Sequence, residues 1–304
     1  MKYTVLLFLT GALLWSADVV NTPVVGLVRE AEALRPLHGL PGALDPGGDL
    51  VLPEGTTLVS GAPRQEWLLL ERTGEWLAFD WQRGTLLSLG HAADLVAFSN
   101  SGREAVLVSG LQLRLVSGLP AQARIVEYEM PGGLGKVERL AVSEGATHIA
   151  LYGEGRVLLW QPGAAASEPY RSAGVLSLTF MPDSHALLVA DLHQNAVLRM
   201  DEGQSPRQLL GNEDGLDVPS AVWAGSQGRL AAVSNKRELL WTYDHGEWRW
   251  EAIPGVAGVQ EMQLRDTLLL TDSAGHPLRI HAFGTEQRTY EVPRPQMPLV
   301  EVRQ

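Results

Sequence analysis

The chain has 304 residues, 45% hydrophobic and 19% charged, a balance that supports a packed core and excludes a disordered polymer. Its 35 Asp and Glu against 24 Lys and Arg give a formal net charge of −11, without the clustered basic side chains that phosphate contacts need, so nucleic acid is excluded as a partner. Cysteine is absent, which removes disulfides, thiol catalysis and Cys-ligated metals.

Met1-Lys2-Tyr3-Thr4 precedes the apolar run VLLFLTGALLW (5–15), and Ser16-Ala17-Asp18 follows it. One positive charge, an apolar stretch too short to cross a bilayer as a helix, and small residues after it predict a signal peptide over 1–17. The expected destination is the periplasm or the extracellular space. No later segment reaches membrane-spanning length, and Gly and Pro are spread along the chain instead of pooling in a linker. Residues 18–304 are therefore expected to form one domain that is not an integral membrane protein.

The segments VVGLVRE (24–30) and ALRPLHG (33–39) predict a strand pair, and the Pro/Gly density of GLPGALDPGGDL (39–50) predicts a loop. From residue 56 onward a module recurs: a short apolar run, a polar Gly/Ser/Asp turn, then a second apolar run. Its clearest copies are LVAFSNSGREAVLV (95–108), RLAVSEGATHIALY (139–152), SLTFMPDSHALLVA (177–190) and AVWAGSQGRLAAVS (221–234). Phe98, Val142, Phe180 and Trp223 anchor these copies at separations of 44, 38 and 43 residues. Six modules of four strands follow, over 56–91, 93–129, 136–172, 175–211, 219–255 and 258–293, with MPLVEVRQ (297–304) as a residual strand. Apolar residues alternate or run in blocks of four or five, and no stretch keeps a 3.6-residue period, so helices are excluded.

A strand-built repeat of this length predicts an all-β fold, a β-propeller of four-stranded antiparallel blades. Seven blades are expected, the N-terminal strands (24–39) and the C-terminal strand (297–304) sharing the closing blade so that no edge is left open. Six blades with the terminal strands added on is the alternative.

Within 187–233, LLVADLHQNAVLRM is followed by RQLLGNEDGLDVPSAVWAGSQGRLAAVS. This stretch resembles the NHL-type repeat of the NHL/WD40-like propellers, with Asp191, Asn195, Gly211, Gly215 and Pro219 where that pattern wants them. Gly215 and Pro219 suit the turn into the inner strand, and Asp191 suits a turn cap. The chain as a whole also resembles secreted bacterial propeller proteins. That likeness implies a binding scaffold and carries no catalytic residues to transfer.

Two constellations are candidate sites. Ahead of the inner strands, Asp94, Glu138 and Arg139, with Glu261 in the sixth module, are expected near the mouth of the central channel. There the carboxylates could hold Ca²⁺ or act as acid and base. The competing reading is a polar lip on a water-filled channel. Around the turn Asp244-His245-Gly246-Glu247, strand alternation pairs Tyr243 with Trp248 and Trp241 with Trp250, putting four rings on one face. They form either a platform for a glycan or protein partner or plain packing between blades. Trp67, Trp76, Trp81 and Trp160 read as blade packing. The histidines show no metal spacing, and no Gly-x-Ser-x-Gly elbow is completed.

These readings converge on an exported, monomeric, non-catalytic propeller that serves as a scaffold for a protein or small ligand, with no cofactor. The alternative is a Ca²⁺-dependent propeller hydrolase, lactonase-like or glycan-cleaving, working through the channel carboxylates.

Overall fold

The computed structural model describes residues 23–292, apart from 31, 32, 183, 265, 275 and 284–286. The expected signal peptide (1–17) and the strand expected at 297–304 lie outside the described residues.

Seven antiparallel sheets form a seven-bladed propeller, and among the described residues the only helix is in short 3-10 turns. Six sheets have four strands in sequence order and coincide with the six modules; the N-terminal sheet has three among the described residues. Its strands are Val24–Glu30, Ala33–Leu40 and Ala43–Pro46. The last of these corrects the loop expected over 39–50. Pro41-Gly42 forms a tight hairpin, Gly42 at φ +93°, and the backbone runs on with Leu40 opposite Ala43. Proline and glycine marked the turn, not the end of the sheet.

The core consists of seven clusters, each gripped between two neighbouring sheets, and these prove that the ring closes. Five join successive modules. The sixth packs Met262, Leu269 and Ile280 on Val25, Val28 and Leu37, and the seventh packs Leu27 and Leu34 on Leu68, Leu70 and Leu77. The N-terminal sheet therefore stands between the sixth module and the first.

The alternation of a strand explains why the second strands are apolar on both sides. In Glu104–Ser109, Ala105 and Leu107 face the first module, while Val106 and Val108 face the third. Each middle strand thus contributes to two cores at once, and the modules read as blocks of four or five apolar residues. First strands of neighbouring modules lie against one another, so they line the central channel. Among the described residues, no helix is long and apolar enough to cross a membrane.

Candidate functional site

The channel is lined by the first strands of the modules: Thr57–Gly61, Leu95–Phe98, Arg139–Val142, Val175–Phe180, Pro219–Ala224 and Gly258–Glu261. All run the same way, so the channel has an upper end, where these strands begin, and a lower end, where they turn back. Side chains stitch neighbour to neighbour: Arg139 Nε donates to Leu176 O at 2.9 Å, and Ser220 Oγ to Ala257 O at 3.0 Å.

Of the expected channel residues, Asp94, Glu138 and Arg139 sit at the upper end, but Glu261 does not join them. Glu261 closes its strand and lies at the lower end, roughly 10 Å down a strand of this length. The sixth module is the expected one, but Glu261 is the last residue of its inner strand and not one ahead of it. Asp94 turns its Oδ2 onto the Gly110 N–H at 2.8 Å in its own module, and Arg139 also donates to Glu138 O at 2.7 Å. Among the described residues, no group of three or more His, Cys, Asp or Glu could hold a metal ion.

The lower end carries residues that sequence reasoning missed. Asn100, in the first turn of the second module, donates through Nδ2 to Phe180 O at 2.9 Å and Ala224 O at 3.2 Å. Those carbonyls belong to the fourth and fifth modules, so Asn100 reaches across the channel. In sequence it is one more Ser/Asn/Gly turn residue. Glu261, nearly buried, accepts from Arg64 Nε at 3.4 Å and from the Trp223 indole N–H at 3.3 Å. Burial raises its pKa against the opposing pull of the Arg64 charge and the Trp223 hydrogen bond. These contacts tie modules together at the lower end of the channel.

The aromatic ladder has the expected register, Trp241 opposite Trp250 and Tyr243 opposite Trp248, with ring centroids 6.4 and 5.3 Å apart. Its two ends differ. Trp241 is 5% exposed and packs into the interface with the fourth module, whereas Trp250 is 61% exposed. The outer strand that carries Trp250 has six residues against four in the neighbouring outer strand, Arg207–Leu210. A cavity of about 420 Å³ opens beside the two rings, lined also by Asp214, Gly215, Arg237 and Leu239. The Trp241 indole N–H is buried and has no hydrogen-bond partner among the described residues.

Asn195 helps to hold this cleft. Asn195, in the left-handed region at φ +51°, donates to Asn212 Oδ1 at 2.7 Å and Leu216 O at 2.9 Å, and accepts from Val218 N at 2.7 Å. It thus ties a turn of the fourth module to the link that carries Asp214 and Gly215. Asn195→Ala is expected to cost about 1–3 kcal/mol, because it leaves Val218 N–H and Leu216 O without their partner; a shifted urea midpoint checks it.

No protein-family model matches the chain, and no curated protein matches it. Solved structures do. PorZ, an essential bacterial surface component of the type-IX secretion system of Porphyromonas gingivalis, is 13% identical with a TM-score of 0.58 over 90% of this chain. The chain spans only 38% of the length of PorZ. Virginiamycin B lyase from Staphylococcus aureus is 12% identical with a TM-score of 0.54, over 84% of this chain and 93% of the lyase. A chain of the mitotic checkpoint complex is 12% identical with a TM-score of 0.56, over 90% of this chain and 85% of its own length. At such identities the likeness is one of fold alone.

Proposed function

We propose that this propeller is an exported, non-catalytic scaffold that binds a protein or small ligand through the Trp250 cleft. Trp250 carries the reading. Packing between blades buries Trp67, Trp76, Trp160, Trp223 and Trp241 below one-tenth exposure, yet Trp250 stands 61% exposed over a cavity. A large ring held at the surface over a cavity is where recognition energy concentrates. Asp214 and Arg237 at the rim add one charge of each sign, which orients a polar partner. The apolar run at 5–15 supports export. Proteins as unlike as a secretion-system component and a lyase share this fold, so the site and not the fold supports the choice.

The test is retention from envelope extract on immobilised protein, comparing the native chain with Trp250→Ala. A partner held by the native chain should bind about tenfold or more weakly to the variant, with the thermal midpoint unchanged. Equal retention by both chains, or a native chain that stays in the cytosol when expressed with residues 1–17, overturns the reading.

A further inference from the structure

The Trp250 cleft holds a guanidinium whose outer nitrogens have no bonded partner. Arg237 belongs to the upper turn between the second and third strands of the fifth module, Leu230–Ser234 and Leu239–Asp244. Its nearest carboxylate is already engaged: Lys236 Nζ stands 3.0 Å from Asp217 Oδ2, and Arg237 Nε reaches the same oxygen only at 4.0 Å. Among the described residues no acceptor bonds Arg237 Nη1 or Nη2. The guanidinium is nevertheless held in place. Gly215 lies in the left-handed region at φ +93°, and a Cβ there would stand 3.3 Å from Arg237 Nη1 and 3.8 Å from Trp241 Cζ2. The missing side chain lets the guanidinium lie against the backbone next to the Trp241 ring.

Asp214, the residue before Gly215, lines the same cavity. Its Oδ2 accepts from the Gly211 N–H at 2.9 Å, which fixes the carboxylate in its turn and leaves Oδ1 for a donor. Trp250 forms the remaining wall. Its ring lies 6.4 Å from that of Trp241, 50° off parallel, so packing holds the exposed face, and Leu239 extends the apolar floor. Three unlike groups therefore surround about 420 Å³: a donor fork, an acceptor and a ring face.

We propose that the cleft takes the C-terminal residue of a peptide, with its carboxylate on Arg237, its backbone N–H on Asp214 and its side chain against Trp250. This occupant presupposes that the Trp250 cleft is the binding site, as proposed above. A planar guanidinium presents parallel N–H bonds that match the two oxygens of a carboxylate. A phosphate dianion also fits the fork, but it meets twice the repulsion from Asp214 and Asp217, so the neighbouring acids select a single negative charge. Within a peptide, only the last residue carries a carboxylate, an N–H and a side chain on one carbon. An aromatic or long aliphatic side chain is expected there, since the face of Trp250 covers it. The cavity is small among ligand sites, which suits the end of a chain and not a folded surface.

The probes are N-acetylalanylphenylalanine with a free carboxylate and the same dipeptide as its C-terminal amide. Each is titrated into the full chain while the indole N–H signals are followed by NMR, the Trp250 signal being identified by its loss in Trp250→Phe. The acid is expected to bind about tenfold or more tightly than the amide. Arg237→Gln should bring the acid down to the affinity of the amide. Arg237→Lys keeps the charge without the fork and should recover only part of the difference. Trp250→Ala should weaken acid and amide by the same factor and leave their ratio unchanged. Arg237 is half-exposed, so its variants should keep the native thermal midpoint. Equal affinity of acid and amide, an acid preference that survives Arg237→Gln, or no shift of the Trp250 signal by the acid overturns the proposal. Tighter binding of free phenylalanine than of the dipeptide acid overturns it too, because the site then belongs to an amino acid. If acid and amide bind alike while Trp250→Ala still loses its envelope partner, the peptide terminus alone falls; if Trp250→Ala keeps that partner, the binding role of the cleft falls with it.

Discussion

Replacing Asp191 by alanine is expected to destabilise the protein by about 3–5 kcal/mol, read as a lowered urea midpoint at constant slope. Asp191 ends the second strand of the fourth module and is completely buried. Its Oδ2 accepts from Tyr170 Oη at 2.7 Å across the interface with the third module, and its Oδ1 accepts from Gln194 N at 2.9 Å in the turn. Burial by itself would raise the pKa of this carboxyl. Hydrogen bonds from Ser172, Tyr170, Gln194 and His193 outweigh burial and hold it below the usual range, while the same contact and burial push the Tyr170 hydroxyl up. The variant leaves a buried phenol and a turn N–H without an acceptor, each costing about 1–3 kcal/mol. Asp191→Asn keeps one acceptor oxygen and should lose less than half as much. A loss below about 1 kcal/mol for the alanine variant would mean that water replaces the carboxylate, contrary to its enclosure. Because the folded pKa is depressed, the stabilisation is present above the ordinary carboxylate range and disappears as the pH falls through the folded value.

The architecture was legible because repetition imposes packing chemistry on every copy. Second strands such as Glu104–Ser109 and Leu187–Asp191 touch a core on each face, so their apolar blocks cannot drift far. Asp191 was legible as a turn cap for the same reason: one short polar side chain must close that turn. The aromatic ladder was legible in register, since a four-residue turn fixes which rings pair, but its exposure was not. The exposure of Trp250 beside a buried Trp241 depends on which residues of the fourth module lie next to it, a fact of three-dimensional adjacency. The channel was the least legible. Asn100 looks like any turn residue, and its reach to Phe180 O and Ala224 O depends on the closure of the ring. Glu261 lies at the opposite end from Asp94 and Glu138, and nothing in its local pattern marks where the inner strand of the sixth module starts. Gln65 bonds the Leu27 N–H and C=O through its carboxamide as a peptide group would, and in sequence it is one polar residue in APRQ.

His281 makes stability depend on pH in a different window from Asp191. It sits in the third strand of the sixth module, 4% exposed, stacked edge-on against Phe283 at 4.9 Å, with Nδ1 3.1 Å from Thr289 Oγ1. Its Nε2 is buried without a hydrogen-bond partner among the described residues. Burial lowers its pKa from 6.5 to about 4, a shift that Glu251 only partly opposes. In the folded chain the imidazole thus stays neutral from neutral pH down to about 4, while in the unfolded chain it takes a proton near 6.5. The unfolded state binds more protons across that interval, so stability rises with pH there and falls as the solution is acidified. The expected loss is about 3 kcal/mol between about pH 7 and about pH 4, close to 1.4 kcal/mol per pH unit within the window. His148, whose pKa burial and His185 also lower, contributes in the same direction. The difference between the native chain and His281→Leu isolates the one residue. Urea midpoints measured across the window should fall less steeply in the variant, and the gap between the two chains should close or reverse toward the acid end. Parallel pH profiles for the two chains would mean that His281 takes up its proton inside the fold, with Nε2 reaching an acceptor that the packing around Ile280 and Phe283 does not provide.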